Sequence, residues 1–264
     1  MKLTVLMDNN TYIDQYYLGE PAVSYYIEEG EIRLLFDAGY SDAFLRNAQA
    51  MGISLTDLTH IVLSHGHNDH TRGLLFLPPS DAQLIVHPDC FLPKRFDGED
   101  IGAPFSENDA AKRWNYSPCK GVFPISENLL YLGEIPRITD FEAQNPIGFY
   151  QKGDKWHPDF LMDDTALVYR TENGIFIITG CSHSGICNII THAKAVCGDD
   201  RLLGILGGFH LLENNGQLAR TVETLQAHAP KMLYPCHCVS LFGKAAMMAA
   251  MPVFEVGVGM TLEL

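Results

Sequence analysis

The run Ser64-His65-Gly66-His67-Asn68-Asp69-His70 gathers three imidazoles and one carboxylate within six residues. A neutral imidazole offers a lone pair near neutral pH, which makes histidine the commonest side-chain metal ligand. Imidazole and carboxylate together suit zinc, manganese or iron. The spacing separates His65 and His67 as one half-site from Asp69 and His70 as another. Four further groups compete for roles. His183 sits in a Ser/Gly-flanked stretch after an apolar run, and His237 ends an apolar run between two thiols. His210 follows Gly207-Gly208, and glycine lets backbone approach a site closely. It is a candidate ligand, proton donor or substrate contact. Cys181 is a soft ligand or a small buried residue, and burial is the usual fate of a free cysteine. His60, His192 and His228 read as surface or satisfied residues, and His87 and His157 each precede a proline.

The elements that must position these groups follow from apolar patterning. Residues 3–7 read as an opening strand. Residues 22–27 and 31–36 read as a hairpin turning at Glu29-Gly30, so Asp37 falls at a strand end. Phe44, Leu45, Ala48 and Met51 share one helical face, with Ser41 and Gly52 as boundaries. Thr59-His60-Ile61-Val62-Leu63 is a short buried strand, which puts the histidine run on the loop leaving it. Leu74–Pro79 leads to a short helix and a strand over Ala82–His87. Residues 93–120 have little periodicity and read as an insertion over an active-site mouth, or as a surface excursion. Ile125–Leu132 and Glu134–Thr139 read as strands, and residues 142–162 as a second irregular stretch.

From Thr165 the pattern recurs. Ala166–Tyr169 and Ile175–Thr179 bracket Glu172-Asn173-Gly174, and Asn-Gly is a hairpin signal. A helix with Ile186, Ile189, Ile190, Ala193 and Cys197 on one face stops at Gly198. Then come a strand over Leu202–Leu206, a helix with Leu218, Val222 and Leu225, and a strand over Met232–Tyr234. A helix around Ala245–Ala250 and a strand near Phe254–Val258 close the chain. Each half therefore reads hairpin, helix, strand. Two mixed sheets with helices outside fit that pattern. The polar clusters fall at strand ends, where loops on a rigid scaffold converge.

Composition bounds the function. The chain has 264 residues, 47% of them hydrophobic, and a formal net charge of −14 from 32 acidic and 18 basic residues. That balance argues against a nucleic-acid backbone as partner, since phosphate binding needs clustered Lys and Arg. A small anionic substrate at a local positive site remains compatible, and metal ions would supply one. The apolar start at Met1–Met7 soon meets Asp8-Asn9-Asn10, so neither a leader nor a membrane span is expected. Seven cysteines, an odd number, point to free thiols in a reduced cytoplasmic compartment. The Met-rich helix Ala245–Met251 is a candidate homo-oligomer interface, although methionine at helical spacing is more often core.

The His-x-His-x-Asp-His run resembles the signature of the metallo-β-lactamase superfamily of metal-dependent hydrolases. The chain order also matches, from Phe36-Asp37-Ala38-Gly39 through the histidine run to Thr179-Gly180-Cys181-Ser182-His183 and Pro235-Cys236-His237. Residues 179–188 and Gly207-Gly208-Phe209-His210-Leu211 are similar to the dihydropterin-ribofuranosyl-aminobenzene-phosphate synthase-like subfamily. The resemblance implies a single domain over 1–264, built as a four-layer αβ/βα sandwich of two mixed sheets with outer helices. It implies two divalent metal ions, zinc first with manganese or iron as alternatives. His65, His67 and His183 would bind one, and Asp69, His70 and His237 the other. Asp69 would also orient a metal-activated hydroxide, and His210 would protonate a leaving group or hold an oxyanion. The expected reaction is hydrolysis of a small phosphorylated, acyl or lactone substrate, with a pterin-pathway-like phosphate as one example. An iron-dependent redox enzyme and a non-catalytic metal sensor are the alternatives. Two departures stand out. Gly180-Cys181 replaces a usual Gly-Asp, so the bridging aspartate of many two-metal members is not evident. Val239-Ser240 replaces Thr-Gly after His237-Cys238.

Overall fold

The computed structural model describes all 264 residues, which group into two compact units. The first comprises residues 1–120, 147–159 and 256–264; the second comprises 121–146 and 160–255.

The first unit holds a seven-stranded sheet in the order Thr261–Glu263, Lys2–Met7, Ser24–Glu29, Ile32–Phe36, His60–Val62, Gln83–Val86, Asn115–Pro118. Its first three junctions are antiparallel and the last three parallel. Val5, Ile27, Leu35, Val62 and Ile85 are fully buried, as strands in a covered sheet require. Helix Ala43–Ala50 lays Phe44 and Ala48 into this core. Burying a side chain the size of Phe44 contributes about 1.5–3 kcal/mol.

The second unit holds a six-stranded sheet in the order Met232–Pro235, Leu202–Gly207, Gly174–Thr179, Ala166–Thr171, Leu129–Tyr131, Phe123–Pro124. The first two junctions are parallel and the others antiparallel. Helices Ile186–Cys197 and Gly216–His228 cover Ile177, Ile205 and Leu233 through Ile189, Ile190, Leu218 and Leu225. The repeated hairpin, helix, strand order is thus present in both units.

Several expectations need correction. The histidine run is not all loop, because Asn68–Thr71 forms a helical turn that continues as a 3-10 turn over Arg72–Leu75. The amides of His70 and Thr71 both donate to the His67 carbonyl. Residues 93–120 are ordered into short elements. Lys94–Phe96 and Glu99–Asp100 form a hairpin, Glu107–Ala111 is a helix with a Ser106/Asp109 capping box, and Asn115–Pro118 is the sheet edge. Residues 142–162 contain the hairpin Phe149–Lys152 and Lys155–Pro158, which joins Lys94–Phe96 in a small third sheet. Glu134–Thr139 is not a strand, because the amides of Ile138 and Thr139 bind the Asn188 side chain instead of a ladder. The closing strand is Thr261–Glu263, not 254–258, where Gly257 and Gly259 interrupt the chain. The last helix starts earlier, at Leu241, where Ser240 accepts the Gly243 amide. No helix is long and apolar enough to cross a membrane.

Lys94 anchors the small sheet. Its ammonium lies 2.8 Å from the Asp159 carboxylate, and both side chains are almost wholly buried. Removing one partner of such a pair leaves the other charge in a poor solvent, at a cost of about 3–5 kcal/mol. Lys94→Met is therefore expected to lower the urea midpoint sharply, and Lys94→Met with Asp159→Leu to recover most of the loss. A single variant as stable as wild type would contradict this account.

Candidate metal centre

In the first unit the site is built outward from Asp37. This residue ends strand Ile32–Phe36 in the left-handed region, with φ 57°, a conformation that aspartate adopts more readily than most residues. Its buried carboxylate accepts from the Ser64 amide at 2.7 Å, the Ser64 hydroxyl at 2.7 Å and His70 Nδ1 at 2.7 Å. The Ser64 hydroxyl gives its one proton to Asp37, so its 2.9 Å contact with His65 Nδ1 is one in which the imidazole donates. Both rings therefore carry a proton on Nδ1, so Nε2 is the atom that would give its lone pair to a metal, on His70 after losing the proton that its raised pKa keeps there. This is how partners behind a metal-binding histidine set its tautomer. Burial opposes charge on His70, but Asp69 and Asp37 outweigh it and hold its pKa well above the ordinary value.

The rings are close. His65 lies 4.7 Å from His67 and 4.2 Å from His70 between centroids. His65 and His67 place one ring nitrogen each within 4.8 Å of each other, and Asp69 and His70 offer a second pair of donors at the same limit. Asp69 Oδ2 is 3.5 Å from His70 Nε2. Gly66 sits where a Cβ would collide with the Cys90 carbonyl, so only glycine allows this loop to lie against its neighbour.

The second unit brings its candidates to the ends of three adjacent strands. Ser182, His210 and His237 all have left-handed backbone, with φ of 56°, 47° and 50°. Non-glycine residues in that region cost energy and cluster at functional sites. The loops are stitched together. Ser182 Oγ donates to the Gly208 carbonyl at 2.7 Å, the Gly208 amide to the Gly180 carbonyl at 2.8 Å, and the Cys236 amide to the Gly207 carbonyl at 3.0 Å. A Cβ at Gly208 would lie 2.5 Å from Cys238 Sγ and 2.6 Å from the Gly180 carbonyl. His183 and His210 have ring centroids 4.4 Å apart. The His210 amide donates to Cys238 Sγ at 3.2 Å. Cys181 is buried, yet its sulfur lies within 4.8 Å of a His237 ring nitrogen. Burial and ligand geometry coexist there, a combination that residue type alone does not reveal.

Two buried acids support the His183 loop. Glu142, which carries no motif, accepts from the Cys187 and Asn188 amides at 2.9 and 3.0 Å. It thereby satisfies the first turn of a helix whose own Gly185 cannot cap it. Burial raises its pKa. Asp164 accepts from the Ser184 amide at 2.9 Å and hydroxyl at 2.5 Å. Elsewhere His60 bonds Thr59, His192 the Leu132 carbonyl, and His87 the Asp89 amide. His228 meets Lys194, and His157 stacks on Tyr150.

Burial pushes the Asp164 pKa from 3.8 up to about 6, against the lowering effect of its Ser184 hydrogen bonds and of Arg137. A raised carboxyl pKa means the folded state holds its proton more tightly than the unfolded chain. Its unfavourable contribution is absent below the unfolded pKa and complete above about pH 6, so stability falls as pH rises between these values. Asn at this position can still accept from Ser184. Asp164→Asn is expected to flatten the stability–pH curve of chelator-treated protein between about pH 4 and 6, measured by denaturant titration. An unchanged slope would count against the assignment.

The metallo-β-lactamase superfamily family model matches residues 18–237. Uncharacterized protein MJ0448 of Methanocaldococcus jannaschii is 30% identical over 89% of this chain and 90% of its own length. From the same organism, 7,8-dihydropterin-6-methyl-4-(beta-D-ribofuranosyl)-aminobenzene-5'-phosphate synthase is 28% identical over 78% of this chain and 75% of its own. Among solved structures, Tm1679, described as a metal-dependent hydrolase of the β-lactamase superfamily, superposes with a TM-score of 0.87. It is 27% identical, and the alignment covers 100% of this chain and 99% of that one. Zinc-bound PqqB from Methylobacterium extorquens shares the fold, with a TM-score of 0.57 at 14% identity and full coverage of both chains. A mixed α/β chain with this match and these strand-end histidines belongs to the metallo-β-lactamase superfamily.

Proposed function

We propose that the protein is a metal-dependent hydrolase of a small anionic substrate, phosphorylated or bearing an acyl or lactone group. His65, His67 and His183 would hold one divalent ion. Asp69, His70 and His237 would hold a second, with the Cys181 thiolate as a further donor. Imidazole, carboxylate and thiolate together form a donor set that zinc accepts readily, with manganese or iron as alternatives. The observation that carries this reading is the Asp37–Ser64 device, which puts a proton on Nδ1 of His65 and His70 and so makes Nε2 the nitrogen each would give to a metal. Family membership and the likeness to a metal-dependent hydrolase support it. The 28% identical relative is named as the synthase of a dihydropterin-linked phosphate, which makes a pterin-pathway-like phosphate compound one candidate of the proposed class.

When bound, such ions supply Lewis acidity and lower the pKa of a coordinated water to about 7. The chain's own groups would do the rest. Asp69, partly exposed beside His70 Nε2, would take up a proton from the attacking water. His210, whose backbone N–H donates to Cys238 Sγ and whose ring lies tilted against that of His183, would protonate the leaving group or hold the developing oxyanion.

Elemental analysis of protein purified without chelator tests the reading. Wild type is expected to carry about two divalent ions per chain, and His67→Ala and His237→Ala each to lose metal. Asp37→Asn should keep the ligands but weaken metal affinity by about 10–100-fold, as loss of a supporting carboxylate does. A metal-loaded panel of phosphoesters, lactones and thioesters should then show turnover that falls with metal content. Wild type that holds no metal after reloading would end this proposal.

A further inference from the structure

A cleft of about 650 Å³ opens in the first unit beside the histidine run. Its size falls in the ~300–1,000 Å³ range of small-molecule sites. One wall is the helical turn that carries the run, through Asn68 and Arg72. The 100–106 segment also lines it, tied to that turn by a bridge between His67 and Gly102 and by the Asn68 amide on the Ile101 carbonyl at 2.8 Å. The small sheet supplies Arg95 and Trp156.

The lining combines cations with rings. The Arg72 guanidinium lies 4.4 Å from the centre of the Tyr40 ring, and Arg95 lies 5.0 Å from that of Trp156. Arg72 has no carboxylate partner; its one hydrogen bond is a long 3.4 Å contact with the Tyr40 carbonyl. Arg95 binds Asp100 through Nε at 2.6 Å, and its two terminal amino groups make no hydrogen bond within the protein. Lys94, by contrast, is spent on Asp159. Arg113 over Trp114 and Arg220 over Phe141 show the same pairing elsewhere on a chain of net charge −14, but Arg72 and Arg95 line one cleft together and keep donors in reserve. Their rigid forks match phosphate and carboxylate oxygens, while exposed Tyr40 and Trp156 offer flat apolar faces.

We propose that this cleft is a recognition site for an aromatic or heteroaromatic anion. Arg72 and Arg95 meet its charged group, and Trp156 and Tyr40 meet its ring. The role of the cleft as a substrate anchor rests on the hydrolase reading; its ability to bind such an anion does not. The anion held here is an anchor, and no bond to it is broken in the cleft.

Calorimetric titration of metal-loaded and chelator-treated protein with phenyl phosphate, methyl phosphate, inorganic phosphate and benzyl alcohol separates the contributions. Phenyl phosphate should bind about tenfold more tightly than methyl phosphate in both forms of the protein, and benzyl alcohol most weakly. Arg72→Ala and Arg95→Ala should each weaken every anion by about tenfold or more. Trp156→Ala should reduce the preference for the ring, and Trp156→Ala with Tyr40→Ala should erase it, while methyl phosphate binding persists. If Arg72→Ala lowers the melting temperature, Arg72→Lys keeps the charge without the fork and should still lose several-fold in affinity. Equal binding of phenyl and methyl phosphate, or affinities untouched by the arginine variants, would overturn the proposal. Binding that needs metal, is lost in His67→Ala and ignores Arg72 and Arg95 would overturn it while leaving the hydrolase reading intact. Ring-selective binding by a wild type that takes up no metal even on reloading would support it and sink that reading instead.

Discussion

One buried carboxylate organises the histidine cluster of the first unit. Asp37 is shut away from water, where an unpaired charge would be costly. Three hydrogen bonds from Ser64 and His70 satisfy it. Those same bonds fix two imidazoles that have no covalent reason to face one way. The connection reaches the backbone as well. The Ala38 amide donates to the His70 carbonyl at 2.8 Å, and the Ser24 hydroxyl to the Asp37 carbonyl at 2.8 Å. Four stretches of chain, around residues 24, 37, 64 and 70, are thereby locked to a single acid. Low local dielectric strengthens each of these bonds and raises the cost of losing any one.

The strand-end cluster of the second unit is held by a different device. Three neighbouring strands end with side chains on left-handed backbone, at Ser182, His210 and His237. Each conformation is unfavourable alone. They persist because the loops bond to one another through Gly180, Gly207 and Gly208, and because Glu142 and Asp164 tie the following helix and loop in place. Strain at the strand ends is thus held by a buried polar scaffold. His183, His210, His237 and Cys181 inherit their positions from it.

Charge is distributed with the same economy. A chain at −14 repels anions from most of its surface. Positive potential must then come from the proposed ions and from the Arg72 and Arg95 cleft beside the turn that carries His67 and Asp69. The superfamily scaffold does not by itself choose a reaction.

The histidine run, the apolar strands and the long helix Ile186–Cys197 were legible in the sequence. They depend on local spacing, and local spacing survives folding. The strand-end location of Asp37, His183, His210 and His237 followed from the same apolar runs. Short elements were not legible. The hairpin around Gly153 docks on Lys94–Phe96 and the edge strand Asn115–Pro118 on Gln83–Val86, partners distant in sequence that periodicity does not reveal. The helical turn over Asp69 and His70 is too short to show a pattern. Glu142 bears no motif, and its role exists only because folding carries it to the start of a helix 45 residues away. Sequence alone determined which residue types could bind metal and which strands would present them. Tertiary structure decided which nitrogen each supported ring offers, and whether a cysteine is merely buried or also lies beside a histidine. Tautomer and juxtaposition are set by hydrogen bonds between segments that only the folded chain brings together.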